Sequence, residues 1–301
     1  MSSEPSNGSP SDLRPRRSVL YMPAANERAL EKAKSIPADA IIFDLEDAVA
    51  PDAKEVARGQ AIAAATSGEY GNRELTIRCN GLDTPWGADD LAAVGAASVA
   101  GSGPAAVVIP KVSSVAYLDD IDARLSAAGA PATLRIWAMV ETPTAILDVR
   151  AIAAHPRVAV LVMGTNDLAK ELRLPLVPGR AGLIPHLAAS ILAAREVGKV
   201  ILDGVYNNVQ DADGFAAEAT QGFQLGFDGK TLIHPGQVDP TNGVWAPSEK
   251  DIEDARKVID AFTEAEADGR GVVTVDGRMI ENLHVDNARR TLAIADAIAN
   301  L

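Results

Sequence analysis

Cysteine is almost absent from this 301-residue sequence. Cys79 stands alone, so no intrachain disulfide can form, and a reducing compartment, the cytoplasm, is the expected setting. Aromatic side chains are only 4% of the residues while apolar residues reach 47%, so a large core must be filled by Ala, Val, Ile and Leu. Such filling suits strands buried on both faces and covered by Ala-rich helices. Positive charge is also scarce. Lys and Arg number 28 against 41 Asp and Glu, a formal charge of −13, which favours solubility and argues against a nucleic-acid partner. No apolar run reaches the length of a membrane span, so no membrane partner is expected. There is no G-x-x-x-x-G-K-[ST] motif and no G-x-G-x-x-G after a strand, which weakens nucleotide-phosphate transfer and dinucleotide binding as readings. The four histidines are not at metal-ligand spacing, and no nucleophilic Ser or Cys arrangement is visible. The opening MSSEPSNGSPSD is rich in Ser, Pro and Gly, lacks the apolar centre of a signal peptide, and is expected to be a disordered tail over 1–12.

What the chain does contain is alternation. Short apolar runs of strand length recur between stretches with helical spacing: RSVLYMP, AIIFDLEDAV, ELTIRCN, AAVVIPKV, LRIWAMV, VAVLVMG, KVILDGVY and a last one within FQLGFDGKTLIHP. Eight strand-helix units in succession predict an α/β fold, a (β/α)8 TIM barrel over 13–247, with an open doubly wound sheet as the alternative. After Pro247 the pattern changes to an amphipathic helix, a short hairpin and another helix. Residues 248–301 are therefore read as a C-terminal helical extension that contributes to the site or to a subunit interface.

A barrel carries its chemistry at the carboxyl ends of its strands. The polar residues expected there are Asp44, Glu46, Asp47, Arg78, Lys111, Glu141, Asp167, Asp203 and His234, a ring of acids facing two cations. Asp167 follows Glu141 by 26 positions, close to the roughly 30 residues of one strand-helix-strand unit, so both carboxylates can end neighbouring parallel strands. Two acids so placed repel one another unless a cation separates them, and a hard divalent ion such as Mg²⁺ takes one or two carboxylates plus substrate oxygens. The other reading of the same residues is local: Glu141 caps the helix beginning at Thr142-Pro143, and Asp167 caps the helix that follows it. Arg78 likewise has two readings. It neutralises Glu46 or Asp47, or it faces a developing enolate or carboxylate oxygen. Cys79, next to Arg78, is turned to the opposite face by strand alternation and reads as core filling.

In order and spacing, R-S-V-L-Y-M-P, D-L-E-D-A-V, I-R-C-N, P-K-V, E-T-P, G-T-N-D-L and G-F-D-G-K-T-L-I-H-P together resemble the citrate lyase β-subunit/malyl-CoA lyase branch of the HpcH/HpaI aldolase superfamily, from Arg17 to about Pro235. The resemblance implies a (β/α)8 barrel that binds Mg²⁺ (Mn²⁺ as a substitute) and assembles as a homotrimer or homohexamer. It also implies chemistry on a carbon–carbon bond beside a coenzyme A thioester. By the same resemblance Glu141 and Asp167 are the metal ligands and contact the substrate through the ion. Arg78 contacts the substrate, while Asp44, Glu46, Asp47 and Lys111 support them. Two departures stand out. Pro23-Ala24 replaces the Pro-Gly frequent in relatives, near where the family binds coenzyme A. Met279-Ile280-Glu281 replaces the M-I-D run that thioesterase and synthase relatives supply across a subunit boundary, which makes Glu281 the candidate base with a side chain one methylene longer.

The expected activity is thus Mg²⁺-dependent cleavage or formation of a 3-hydroxyacyl-CoA such as malyl-CoA or citramalyl-CoA. The partners are acetyl- or propionyl-CoA and a 2-oxoacid, glyoxylate or pyruvate. A malyl-CoA-type thioesterase using the same residues, a CoA-independent 2-oxoacid aldolase and a non-catalytic binding subunit are the alternatives.

Overall fold

A computed structural model of the chain describes residues 14–99, 103–267, 269 and 271–301; the tail expected over 1–12 lies outside the described residues. Eight strands pair side by side in chain order, all parallel: β1 (Ser18–Pro23), β2 (Ala40–Asp44), β3 (Glu74–Arg78), β4 (Ala106–Ile109), β5 (Arg135–Val140), β6 (Val158–Met163), β7 (Val200–Asp203) and β8 (Gly229–Leu232). β8 closes the barrel on β1 through Ser18↔Lys230, Val19↔Thr231 and Leu20↔Leu232. Helices follow the strands and cover the outside, as parallel pairing requires.

The apolar runs are unbroken because each strand is buried on both sides. Val19, Ala40, Ile42, Ala106, Val108, Trp137, Met139, Val160, Val162 and Leu202 pack together in the barrel interior. Their strand neighbours Leu20, Ile41, Phe43, Val107, Ile136, Leu161 and Ile201 are equally buried and alternate to the outer face. Gly229 opens β8 where any Cβ would overlap the backbone oxygens of Arg16 and Arg17. β2 is shorter than its apolar run. The Asp44 carboxylate accepts from the N–H of Glu46 (2.9 Å) and of Ala48 (3.1 Å), which folds the chain out of the strand.

Asp203 is corrected by the structure. Leu202 takes the inward position at the end of β7, so Asp203 turns outward and away from the barrel mouth. There it joins a buried charge quartet. Lys230 Nζ, fully buried, donates to Asp203 Oδ2 (3.1 Å), Glu218 Oε1 (2.8 Å) and the Gly204 carbonyl (2.6 Å). Arg180 Nη1 donates to Asp203 Oδ1 at 2.7 Å. Together these groups anchor the long loop between the helices Thr165–Leu172 and Ile184–Glu196. Lys230 and Arg180 hold the Asp203 carboxyl below the usual carboxylate range although its burial alone pushes it upward.

Arg16–Val244 forms one compact unit and Trp245–Leu301 belongs to a second. The second contains helix Glu249–Ala267, an antiparallel hairpin of Val273–Val275 with Arg278–Ile280, and helix Asn282–Ala299. Asp276 and Gly277 both take left-handed φ (47° and 78°), the two-residue turn that fits strand twist. Phe262, Ile280 and Val285 form this unit's own apolar cluster. Among the described residues no helix is long and apolar enough to cross a membrane.

Replacing Lys230 with Met strips one oxygen each of Asp203 and Glu218 of the ammonium, leaving Arg180 as the cation facing both. Lys230→Met is expected to cost about 3–5 kcal/mol of stability, read as a lowered urea midpoint.

Candidate active site

β5 and β6 are hydrogen-bonded neighbours, with Val140 opposite Met163, so the residue after each strand emerges at the same rim. Met139 faces the interior, and alternation turns Glu141 the same way. Glu141 is 2% exposed and lies against Gly164, where a Cβ would overlap its Oε2 and its own Cβ. The Lys111 backbone N–H donates to Glu141 Oε1 at 2.6 Å, from a residue held at the left-handed φ of 50°. A non-glycine residue held in that region costs energy, and here the strain aims an amide at a carboxylate. The exposed Lys111 side chain feels the same acids. Burial lowers its ammonium, but Glu46, Glu141, Asp167 and Asp47 outweigh that and raise it.

The capping reading of these acids does not survive. Thr142, not Glu141, caps helix Pro143–Leu147, its hydroxyl accepting from the Ala145 N–H at 3.1 Å. Asp167 sits within the first turn of helix Thr165–Leu172, whose cap position is Gly164 with no side-chain cap bond. Thr142 and Gly164 do the local work, which leaves both carboxylates to the cavity.

The opposite wall belongs to Arg78 at the end of β3. Its Nε and Nη2 make a two-pronged pair with Asp44, at 2.7 and 2.6 Å. Nη1 faces Glu46 Oε2 at 2.7 Å and, more loosely, the largely exposed Asp47 at 3.4 Å. The pairing read from the sequence therefore holds for Glu46 and only weakly for Asp47, and the main partner is Asp44. Burial depresses the guanidinium's basicity, and Asp44 more than restores it. Tyr21, one layer above Val19 on β1, lies with its ring 4.9 Å from the Arg78 guanidinium carbon.

Tyr21, Asp44, Asp47, Arg78, Glu141 and Asp167 line one cavity of about 330 Å³ together with Met139, Met163, Val205 and Ile233, and with Asn166 and Asn207, whose amides donate to each other (3.0 and 2.8 Å). The acids outnumber the cations. Burial, then the neighbouring charge of Glu46, pushes the Glu141 carboxyl up to about 7, and burial with Asp47 and Asp44 pushes Glu46 up to about 7 against the pull of Arg78. The Tyr21 phenol is held above the ordinary tyrosine range, by burial first, despite the opposing pull of Arg78.

The donor set fits Mg²⁺. Glu141 and Asp167 offer two hard oxygen ligands on one cavity, and Glu141 lacks a full counter-charge of its own. Among the described residues no group of three or more His, Cys, Asp and Glu could hold a metal, so an ion held by Glu141 and Asp167 would take its other ligands from water and substrate oxygens. Glu281 belongs to the C-terminal unit. It is exposed at the cap position of helix Asn282–Ala299, where His284 Nδ1 accepts from its backbone N–H at 3.1 Å. His234 is also exposed and caps a short turn, accepting from the Gly236 N–H at 3.0 Å. Cys79 is fully buried, and burial pushes its thiol well up, as core filling requires.

Sequence reasoning passed over three features. Tyr21 shares the inward parity of Val19, which an all-apolar strand hides. Lys54 stands at the start of helix Lys54–Thr66, where the helix dipole disfavours a cation, and that oddity was the readable signal. Its buried Nζ donates to the carbonyls of Leu45 (2.7 Å) and Glu46 (2.6 Å) and to Asn80 Oδ1 (2.8 Å), tying the loops after β2 and β3 together. The Asn166–Asn207 pair joins two loops far apart in sequence and carries no local signature.

The HpcH/HpaI aldolase/citrate lyase family matches residues 17–235. The chain is 50% identical over 285 residues to a (3S)-malyl-CoA thioesterase of Cereibacter sphaeroides (strain ATCC 17025 / ATH 2.4.3), covering 95% of this chain and 96% of that one. It is 35% identical over 291 residues to citrate lyase subunit beta of Escherichia coli (strain K12), covering 94% of each. Among solved structures, protein CitE from Mycobacterium tuberculosis in complex with magnesium, acetoacetate and coenzyme A superposes with a TM-score of 0.74 at 27% identity. That match covers 94% of this chain and 100% of that one. The M. tuberculosis citrate lyase beta subunit complexed with oxaloacetate and magnesium gives 0.64 at 28% identity, over 76% of this chain and 96% of that one.

Two outcomes follow for the metal. Gly164→Ala is expected to displace the Glu141 carboxylate and weaken Mg²⁺ binding sharply in calorimetry, with little loss of helical signal. Because Glu141 must be ionised to bind a cation and its carboxyl is raised to about 7, Mg²⁺ affinity should rise as pH climbs through 7 and level off above it. Titrations in buffers of different ionisation enthalpy should show protons released on binding below that pH.

Proposed function

The chain belongs to the HpcH/HpaI aldolase/citrate lyase family, and from that premise we propose that it is a Mg²⁺-dependent thioesterase acting on (3S)-malyl-CoA or a similar 3-hydroxyacyl-CoA. The observation that carries this reading over the lyase expected from the sequence is the 50% identity, across nearly the whole chain, with relatives of that name. Bound Mg²⁺, held by Glu141 and Asp167, supplies Lewis acidity toward the carboxylate and hydroxyl oxygens of the hydroxyacid end. Arg78, braced by Asp44 and Glu46, faces the cavity and stabilises negative charge on the thioester oxygen. Glu281, supplied by a neighbouring subunit, acts as the base that takes a proton from the attacking water and returns it to the departing thiolate, so the products are malate and free coenzyme A. Assembly as a homotrimer or homohexamer is part of the same proposal.

The similarity to citrate lyase beta subunits supports a second reading on the same residues. In it the base takes the substrate's hydroxyl proton instead. The carbon–carbon bond then breaks to give glyoxylate and the enolate of acetyl-CoA.

The two readings differ in products. With (3S)-malyl-CoA and Mg²⁺, free thiol and malate are expected in equal amounts and no glyoxylate; glyoxylate with acetyl-CoA would establish the lyase instead. Arg78→Ala should lower turnover by about 10²–10³, with Mg²⁺ binding retained, while Glu281→Gln should lower kcat by about 10²–10⁴.

A further inference from the structure

Negative charge building on a thioester oxygen needs hydrogen-bond donors, and Arg78 has few left to give. A guanidinium carries five N–H groups. Nε and one Nη2 hydrogen go to Asp44, and Nη1 faces Glu46 and Asp47, which leaves a single Nη2 hydrogen for a ligand. Releasing Asp44 to free more would strand a carboxylate that is 1% exposed.

Tyr21 stands where the second donor is needed. It lines the same cavity as Glu141, Asp167 and Arg78, on the inward face of β1. Its ring is committed to the guanidinium above it, yet among the described residues its hydroxyl has no hydrogen-bond partner. Nothing else in the site uses that oxygen.

We propose that Tyr21 is a further catalytic residue, its hydroxyl donating a hydrogen bond to the thioester oxygen beside the remaining N–H of Arg78. The role rests on the thioester reading above. No proton changes hands: the phenol, raised above its ordinary range, remains a donor throughout, and its ring lies against the guanidinium that Asp44 holds.

Tyr21→Phe removes the hydroxyl and keeps the ring, while Tyr21→Leu removes both. The probe besides turnover is carboxymethyl-coenzyme A, a stable thioether whose carboxylate presents negative oxygens one carbon beyond the place of the thioester carbon. Tyr21→Phe should lose about 10²-fold in kcat with KM and Mg²⁺ affinity unchanged. It should also bind the analogue about tenfold more weakly in calorimetry. If Tyr21→Phe keeps full kcat and full affinity for the analogue while Tyr21→Leu loses both, the ring alone matters and the hydroxyl assignment is overturned. A wild-type protein that neither turns over a thioester nor binds the analogue overturns the thioester reading and the hydroxyl's role together.

Discussion

Like charge crowded into a low-dielectric cavity is the constraint on which this site depends. Asp44, Glu46, Glu141 and Asp167 gather at one end of the barrel, where the buried cation facing them is Arg78. Arg78 satisfies the Asp44 side of the cavity, so burial first, and then the charge of Glu46, lifts the Glu141 carboxyl to about 7. A protein that buries an ion without a partner loses several kcal/mol. A divalent cation held by Glu141 and Asp167, as proposed above, would relieve that crowding, and the relief would add to its affinity.

The rest of the mouth is built to hold those charges still. Lys111 tethers β4 to β5 through its strained amide on Glu141, and the Gly164 N–H donates to Val140 O across β5 and β6. Asn166 and Asn207 join the loops after β6 and β7, and Gln237 Nε2 donates to the Tyr206 carbonyl while its Oε1 accepts from the Ile233 N–H. Lys54 does the same work between the loops after β2 and β3. Apart from the Gly164–Val140 backbone bond, each tie pairs a side chain with a neighbouring loop, so carboxylates from different strands keep their spacing. Catalysis of this kind rewards such preorganisation, since groups already in place need not reorganise as charge develops.

Much of the architecture was legible in the sequence. The alternation of apolar runs with helical spacing marked all eight strands, and the interval between Glu141 and Asp167 placed them on adjacent strands, as β5 and β6 confirm. The helical spacing of ETPTAILDVRAIAA is realised as two helices, Pro143–Leu147 and Val149–Ala154, meeting at Asp148, where the backbone leaves helical geometry. Asp203 shows where such reading stops. Val200–Leu202 and Ile136–Val140 are unbroken apolar runs, so neither reveals which residues face inward, and a single step of parity sends Asp203 to the helices and Glu141 to the cavity.

The sequence by itself determined the elements, their order and the strand ends that carry acids, because helix and strand periods are local properties of a few consecutive residues. Only the tertiary structure decided which acid holds Arg78, that Thr142 relieves Glu141 of capping, that Lys54 is buried among carbonyls, and that Tyr21 lies beneath the guanidinium. Those outcomes turn on parity and on contacts between residues far apart in the chain. No local pattern encodes the direction in which a side chain leaves a strand buried on both faces.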